Sequence, residues 1–356
     1  MACLSVALQD PLLPQSSVSA AVPPAAAGGV PLSLVLPAYR VAPWLEACVA
    51  SLLDDAPPGL EIIVVDDGSP DETPAIADAL AARDGRVRVI HQANGGVSVA
   101  RNAGLDAARG TYVGFVDPDD RVERGWAREL LAAAALDPAM AMVVGEVRML
   151  DVGATGCGEI LGIVGRILLH DPLHWSGSIF AAIYRRDFLS AHGLRFPPGV
   201  THGEDIIFQV RTVVAMLLSR APVTVNPRAV YIYQRRPGSA TSGSAITPEW
   251  AASLMRTYSE AHELLHAHAA SLPPAGVGYQ YFTWICVLLR DARGCEREAD
   301  AQAMRALAQR LIAACPVRGE MISCLAHRQQ WEAAERRQGR QCEPLAMLFL
   351  QQLAPA

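Results

Sequence analysis

Apolar and polar positions alternate between two regimes over the first third of the chain. Leu32-Ser-Leu-Val-Leu36 predicts a strand, and Trp44 to Leu53 a helix. Glu61-Ile-Ile-Val-Val-Asp66 is a nearly continuous apolar run, the pattern of a parallel strand covered on both faces. Asp67 to Pro74 is turn chemistry ending in a proline suited to a first helical turn, so a helix is expected over Pro74 to Arg83. Val87 to Ile90 predicts the next strand, Gly95-Gly96 opens a helix to Ala108, and Thr111 to Val116 predicts a fourth strand. A further helical pattern starts near Glu123.

Repeated strand–helix units imply a parallel sheet with right-handed crossovers. Ligands of such sheets bind outside the carboxyl ends of the strands. Four polar clusters fall there: Pro37-Ala-Tyr39, Asp66-Asp67, His91 to Gly96, and Asp117 to Asp120. From Met142 to Gln234 the pattern is mixed. Strands are expected over Met142 to Leu150, Ile160 to Leu169, Ser178 to Tyr184 and Ala229 to Gln234, with helices at Arg186 to His192 and Asp205 to Ser219. Beyond Thr247 the chain is almost wholly helical, broken at Pro273-Pro274, Pro316 and Pro344. The expected organisation is a loose tail over 1–30, an α/β domain over 31–245 with halves at 31–120 and 121–245, and a helical region over 246–356.

Composition narrows the function classes. With 51% hydrophobic and 19% charged residues, the 356-residue chain can build a sizeable core. The net charge of -6 argues against a nucleic-acid partner, which calls for a basic surface. Every basic residue of the Lys+Arg total is an arginine, a mark of GC-rich coding rather than of function. The eight cysteines form no Cys-x-x-Cys pair and no zinc spacing, and are expected to be thiols of a reducing compartment. The Ala/Pro/Ser-rich start lacks the features of a signal peptide. No apolar run reaches the roughly 20 residues that span a bilayer.

Phe115-Val-Asp-Pro-Asp-Asp120 carries the strongest chemistry. Three carboxylates this close repel and raise one another's pKa unless a cation sits among them. Mg²⁺ or Mn²⁺ on such oxygens bridges to a substrate diphosphate; the alternative is a turn with a helix cap. Asp66 and Asp67 either accept hydrogen bonds from a ligand or stabilise an Asx-turn at Gly68-Ser69. Arg101 either joins Gly95-Gly96 in binding an anion or ion-pairs with Asp66, Asp67 or Asp117. Glu204-Asp205 sits at a helix start, where the dipole lowers a carboxylate's pKa and acidic residues are common without function. Arg235 and Arg236, before Pro-Gly-Ser, either close over a diphosphate or form a solvated loop. Trp175 is a stacking candidate for an acceptor sugar, although single aromatics are more often core. His202 is placed to tune a neighbouring carboxylate. His262, His266 and His268 lack a metal partner and are expected on the surface.

Pro37-Ala-Tyr39, Val64-Val-Asp-Asp-Gly-Ser69, Asn94-Gly-Gly-Val-Ser-Val-Ala-Arg-Asn-Ala-Gly104 and Phe115 to Asp120, in this order, resemble the motifs of the family 2 (GT-A fold) glycosyltransferases. So does the later block Ile183 to Leu189, Leu194 to Pro197 and Gly203-Glu-Asp-Ile-Ile-Phe208, which is similar to the branch building bacterial exopolysaccharide and lipopolysaccharide. The resemblance covers Pro31 to Ser242 and implies an α/β fold with a mixed, Rossmann-like sheet flanked by helices. It implies an inverting sugar transfer from a nucleotide-diphosphate sugar, most often UDP-linked, with Mn²⁺ or Mg²⁺. On its motifs, Pro37, Tyr39, Asp66, Asp67, Gly95, Arg101 and Asp117 surround the donor nucleotide, Asp119 with Asp117 holds the metal, and Asp205 is the base, supported by Glu204. Trp175, His202, Arg235 and Arg236 fall to the acceptor or diphosphate side. The partners implied are the donor and a glycan or lipid-linked acceptor; the oligomeric state is open. Pro237 stands where a processive synthase carries a Trp, which argues against processive polymerisation. The expected place is the cytoplasm, with the helical region as a cap or, alternatively, as a peripheral membrane contact through Arg328, Arg336, Arg337 and Arg340. Two rivals are a nucleotidyltransferase, which wants a Gly-rich basic loop that Pro37-Ala-Tyr39 does not supply, and a non-catalytic sugar-nucleotide scaffold, which would lack one of the two acidic elements.

Overall fold

The structure, a computed structural model, describes residues 30–152, 158–164, 179–235, 245–337 and 345–353. Four strands arise where the apolar runs predict them: β1 Leu32–Ala38, β2 Glu61–Asp66, β3 Val87–His91 and β4 Tyr112–Phe115. Helices α1 Ala42–Leu53, α2 Thr73–Arg83 and α3 Val97–Ala107 connect them. β1 pairs in parallel with both β2 and β4, and β2 with β3. The residues of β1 and β2 are buried without interruption, as strands covered on both faces must be. α3 lies so close to the sheet that a Cβ on Gly104 would stand 2.3 Å from Val35 Cγ1; only glycine fits there.

Beyond α4, Trp126–Ala134, the sheet turns mixed. It adds β5 Arg121–Val122, β6 Met142–Val152, β7 Gly158–Val164, β8 Ala182–Arg185 and β9 Val223–Arg235. The order is β3-β2-β1-β4-β8-β6-β9-β5, with β7 on β6. β8 runs antiparallel to β4 and β6, whereas β6 and β9 are parallel. Several expected boundaries move. β9 begins at Val223, ahead of the expected Ala229, because a bulge accommodates Pro227 and its missing N–H. The expected strand over Ser178 to Tyr184 is a 3₁₀ turn, Ile179–Ala181, followed by the short β8. Within the strand expected to Leu169, pairing is described as far as Val164.

Helix α5 Arg186–Ala191 and α6 Glu204–Ser219 complete this part. The helical region then builds α7 Pro248–His268, α8 Pro274–Asp291, α9 Glu298–Ala314, α10 Arg318–Arg337 and α11 Leu345–Leu353. α8 is the central member, packed by α7, α9, α10 and α11, and α7 also packs on α6. One apolar core runs from the sheet into these helices. Among the described residues, no helix is long and apolar enough to cross a membrane. Among the described cysteines, Cys48, Cys286, Cys295, Cys315 and Cys324 are all free thiols. His262 corrects its surface expectation: it is half-buried, and its Nδ1 lies 2.7 Å from the Tyr281 hydroxyl, against which α7 and α8 pack.

Candidate active site

A cavity of about 940 Å³ opens at the carboxyl ends of β1, β2 and β4. Its walls include Pro37 at the end of β1 and Tyr39 just after it, Asp67 after β2, Gly95 and Gly96 before α3 and Arg101 in its first turns, Asp117 and Asp119 after β4, and Gly199 to His202 before α6. Strand ends deliver these groups because each parallel strand must turn at the same edge of the sheet.

Asp66 and Asp67 shape the loops beside the cavity. Asp66 accepts the Ser69 amide at 3.0 Å, closing an Asx-turn, and its other oxygen lies 3.0 Å from His91 Nδ1. Bonds to Asp66 and Asp78 raise the His91 pKa. Asp67 accepts the amides of Gly95 at 2.9 Å and Gly96 at 2.8 Å, and the Gln92 side chain at 2.7 Å. It therefore ties the glycine loop at the head of α3 to the end of β2. Asp67 lines the cavity; Asp66 is not among the lining residues.

The acidic loop is clamped from β9. Tyr231 donates its hydroxyl to Asp120 at 2.7 Å and accepts the Asp117 amide at 3.2 Å. The Gln234 amide donates to the second Asp120 oxygen at 2.8 Å, and its side chain donates to the Asp119 carbonyl at 2.7 Å. Both oxygens of the buried Asp120 are thus engaged, and burial pushes its pKa well up. Asp117, Asp119 and Asp120 bring carboxylate oxygens within 4.8 Å of one another. Since Asp120 is taken by Tyr231 and Gln234, Asp117 and Asp119 are the pair that fits a hard, oxygen-seeking divalent cation. Without a cation, burial raises the Asp117 carboxyl to about 7, against the lowering effect of Arg101.

Arg101 joins the acidic loop to the start of α6. It is 3% exposed, donates to Asp117 at 3.1 Å and to Glu204 at 2.7 Å, and lies between the rings of Phe180 and Phe196 at 5.2 and 5.1 Å. Its neighbour Asn102 makes two bonds to the Phe196 backbone, at 2.8 and 3.0 Å. The Arg-Asn pair of α3 therefore holds the segment leading to α6.

Glu204 and Asp205 open α6 directly after the cavity wall, but they are not among its lining residues. The expected lowering of the Asp205 pKa by the helix dipole does not prevail. Burial, followed by the Glu204 charge, raises it to about 6. His202, two residues before Glu204, lines the cavity and stacks on Trp250 of α7, with centroids 4.5 Å apart and planes 12° from parallel. Burial lowers its pKa. Arg235 ends β9, while Trp175 and Arg236 lie outside the described residues. Sequence reasoning missed Tyr231, Gln234, Trp250, Ser253 and Thr257, which act on the site from far along the chain. The alternating aromatics of Tyr231-Ile-Tyr233 were the available signal for Tyr231.

A mixed sheet with a cavity across its parallel strand ends, a paired-carboxylate loop after β4 and a helical annex is the GT-A glycosyltransferase fold. Residues 33–189 match glycosyl transferase family 2. The glycosyltransferase EpsJ of Bacillus subtilis (strain 168) is 33% identical over 235 residues, 60% of this chain and 63% of that protein. The glycosyltransferase YibD of Escherichia coli (strain K12) is 30% identical over 208 residues, 53% of this chain and 58% of its own. The chain thus spans less than two thirds of the length of either relative. The crystal structure of S. aureus TarS 1-349 in complex with UDP-GlcNAc superposes with a TM-score of 0.53 at 20% identity, over 88% of this chain and 93% of that one.

Proposed function

We propose that this chain is an inverting, metal-dependent glycosyltransferase that moves a sugar from a nucleotide-diphosphate sugar, UDP-linked, to a glycan or lipid-linked acceptor in bacterial surface polysaccharide synthesis. The observation that carries it is the single cavity in which Asp117 and Asp119 meet the glycine loop, with Arg101 tying Asp117 to Glu204 at the start of α6. At about 940 Å³ it has the size of a cofactor or nucleotide site. The UDP-GlcNAc complex of TarS and the curated relatives' names support the donor class and the activity.

In this reading 31–120 binds the nucleotide, 121–245 binds the acceptor and 246–356 braces the second half, on the cytoplasmic face of the cell membrane. Asp117 and Asp119 would hold Mn²⁺ or Mg²⁺, which when bound neutralises the diphosphate and so makes it a good leaving group. Pro37, Tyr39 and the Gly95–Gly96 loop contact the nucleotide, positioned by Asp66 and Asp67. Asp205 takes the proton of the acceptor hydroxyl as that oxygen attacks the anomeric carbon opposite the diphosphate. One base and one leaving group suffice, so the anomeric configuration inverts.

The test is release of the matching nucleoside diphosphate from a panel of UDP-, GDP- and TDP-sugars, with and without Mn²⁺. Saturating UDP with Mn²⁺ should also stabilise the fold, by about 2.7 kcal/mol at a hundred times Kd. Full turnover in excess EDTA sinks the metal assignment, and stabilisation by GDP but not UDP sinks the donor assignment.

A further inference from the structure

His202 is held almost entirely by α7, which lies outside the segment matched to the family. Ser253 and Thr257, both fully buried, sit four residues apart on one face of that helix. Ser253 Oγ accepts the His202 amide at 3.1 Å and donates to its carbonyl at 3.1 Å, and Thr257 donates to the same carbonyl at 3.2 Å. Gly203 follows in a left-handed conformation, φ +85°, with its bare Cα against Thr257. The backbone is thus fixed on both sides of one side chain, and that side chain lines the cavity. Trp250, one turn earlier on the same helix, covers one face of the imidazole and leaves the other uncovered by the indole.

A flat, uncharged ring backed by a second ring suits the apolar C–H face of a pyranose, which packs on π surfaces while its hydroxyls take bonds at the rim. The ring stands three residues before Asp205, and its Nδ1 is 3.2 Å from the Thr201 hydroxyl, so the imidazole is also oriented in its own plane. We propose that the His202–Trp250 stack, presented by α7, is the platform for the acceptor sugar, a pyranose whose reacting hydroxyl is thereby brought to Asp205. This rests on the glycosyltransferase reading above and adds to it the acceptor subsite and the role of the helical region.

The experiment is saturation-transfer NMR on the full chain with UDP and Mg²⁺. The probes are the methyl β-glycosides of glucose, galactose and N-acetylglucosamine. At least one should receive saturation on its ring C–H protons and show an NOE to the His202 ring protons in the unaltered protein. His202→Ala should weaken that glycoside tenfold or more and Trp250→Ala severalfold. His202→Phe should retain most of the binding, and UDP affinity should stay within twofold throughout. If UDP binds but no glycoside contacts the imidazole, or if His202→Ala binds glycoside as the unaltered protein does, the platform is refuted. The NOE needs no variant, so an unstable Trp250→Ala leaves the proposal exposed to refutation. Failure of UDP itself to bind overturns the donor reading, and with it the platform, by a different signal.

Discussion

Replacing Arg101 with methionine tests the link between the acidic loop and the start of α6. Methionine keeps an unbranched stem between Phe180 and Phe196 but deletes the guanidinium that serves Asp117 at 3.1 Å and Glu204 at 2.7 Å. Arg101 is 3% exposed and Glu204 8%, so water cannot replace the lost cation. Removing one partner of a buried ion pair typically costs about 3–5 kcal/mol, because the remaining charge stays desolvated. We expect that loss, read as a lower urea midpoint with an unchanged slope. Arg101→Lys keeps the charge but not the fork, and should lose the equivalent of one charged hydrogen bond, about 1.5–3 kcal/mol. A double-mutant cycle with Glu204→Gln should give a coupling within the roughly 0.5–3 kcal/mol seen for residues in contact, toward its upper end. A midpoint for Arg101→Met within about 1 kcal/mol of the unaltered protein, well below the buried-pair range, would refute the reasoning. So would additive single variants.

Asp205→Asn should reduce turnover by about 10²–10⁴-fold. The rate of the unaltered enzyme should climb with pH through about 6 and then level, because the base must be ionised; a flat profile counts against Asp205. Since its folded pKa is raised, burial of the charged form penalises the fold above about 6 and the penalty fades as the pH falls toward 4, so the Asn variant should be the more stable one only at the higher pH. Gly203→Ala places a Cβ 2.8 Å from Thr257 Cγ2 at a positive φ, and should lose about 1–3 kcal/mol in a chemical melt, partly restored by Thr257→Ser. Tyr231→Phe leaves Asp120 and the Asp117 amide short of a partner, for a loss of about 1–3 kcal/mol; an unchanged melt would mean the clamp is idle.

Local patterning made the parallel part of the sheet legible. The run Glu61 to Asp66 can hardly be anything but a covered strand, and its position fixes where Asp66 and Asp67 emerge. The two-residue β5 is too short to leave a period, and Pro227 disguised the first half of β9. At the site, the acidic residues were visible as types at strand ends, but their partners were not. Asp67 spends both oxygens on a loop 28 and 29 residues away, and Asp120 is held by residues more than a hundred positions on. Ser253 and Thr257 look like ordinary neutral members of a helix; only their burial against His202 gives them a role. Such pairings are set by tertiary packing, which no local period encodes.

The hydroxyls of α7 also bear on how this chain can change. The family match stops at residue 189, so recombination or grafting guided by that border would treat everything beyond it as exchangeable. Yet the loop at 199–203 and the turn of α7 that holds it form one mechanical joint, separated by some fifty residues of sequence. A foreign helical annex would have to arrive with a hydroxyl at each of two positions one turn apart and a flat ring one turn before them. Exchanges that carry 199–268 as one cassette preserve the joint; exchanges cut near 245 break it even when both parents are active.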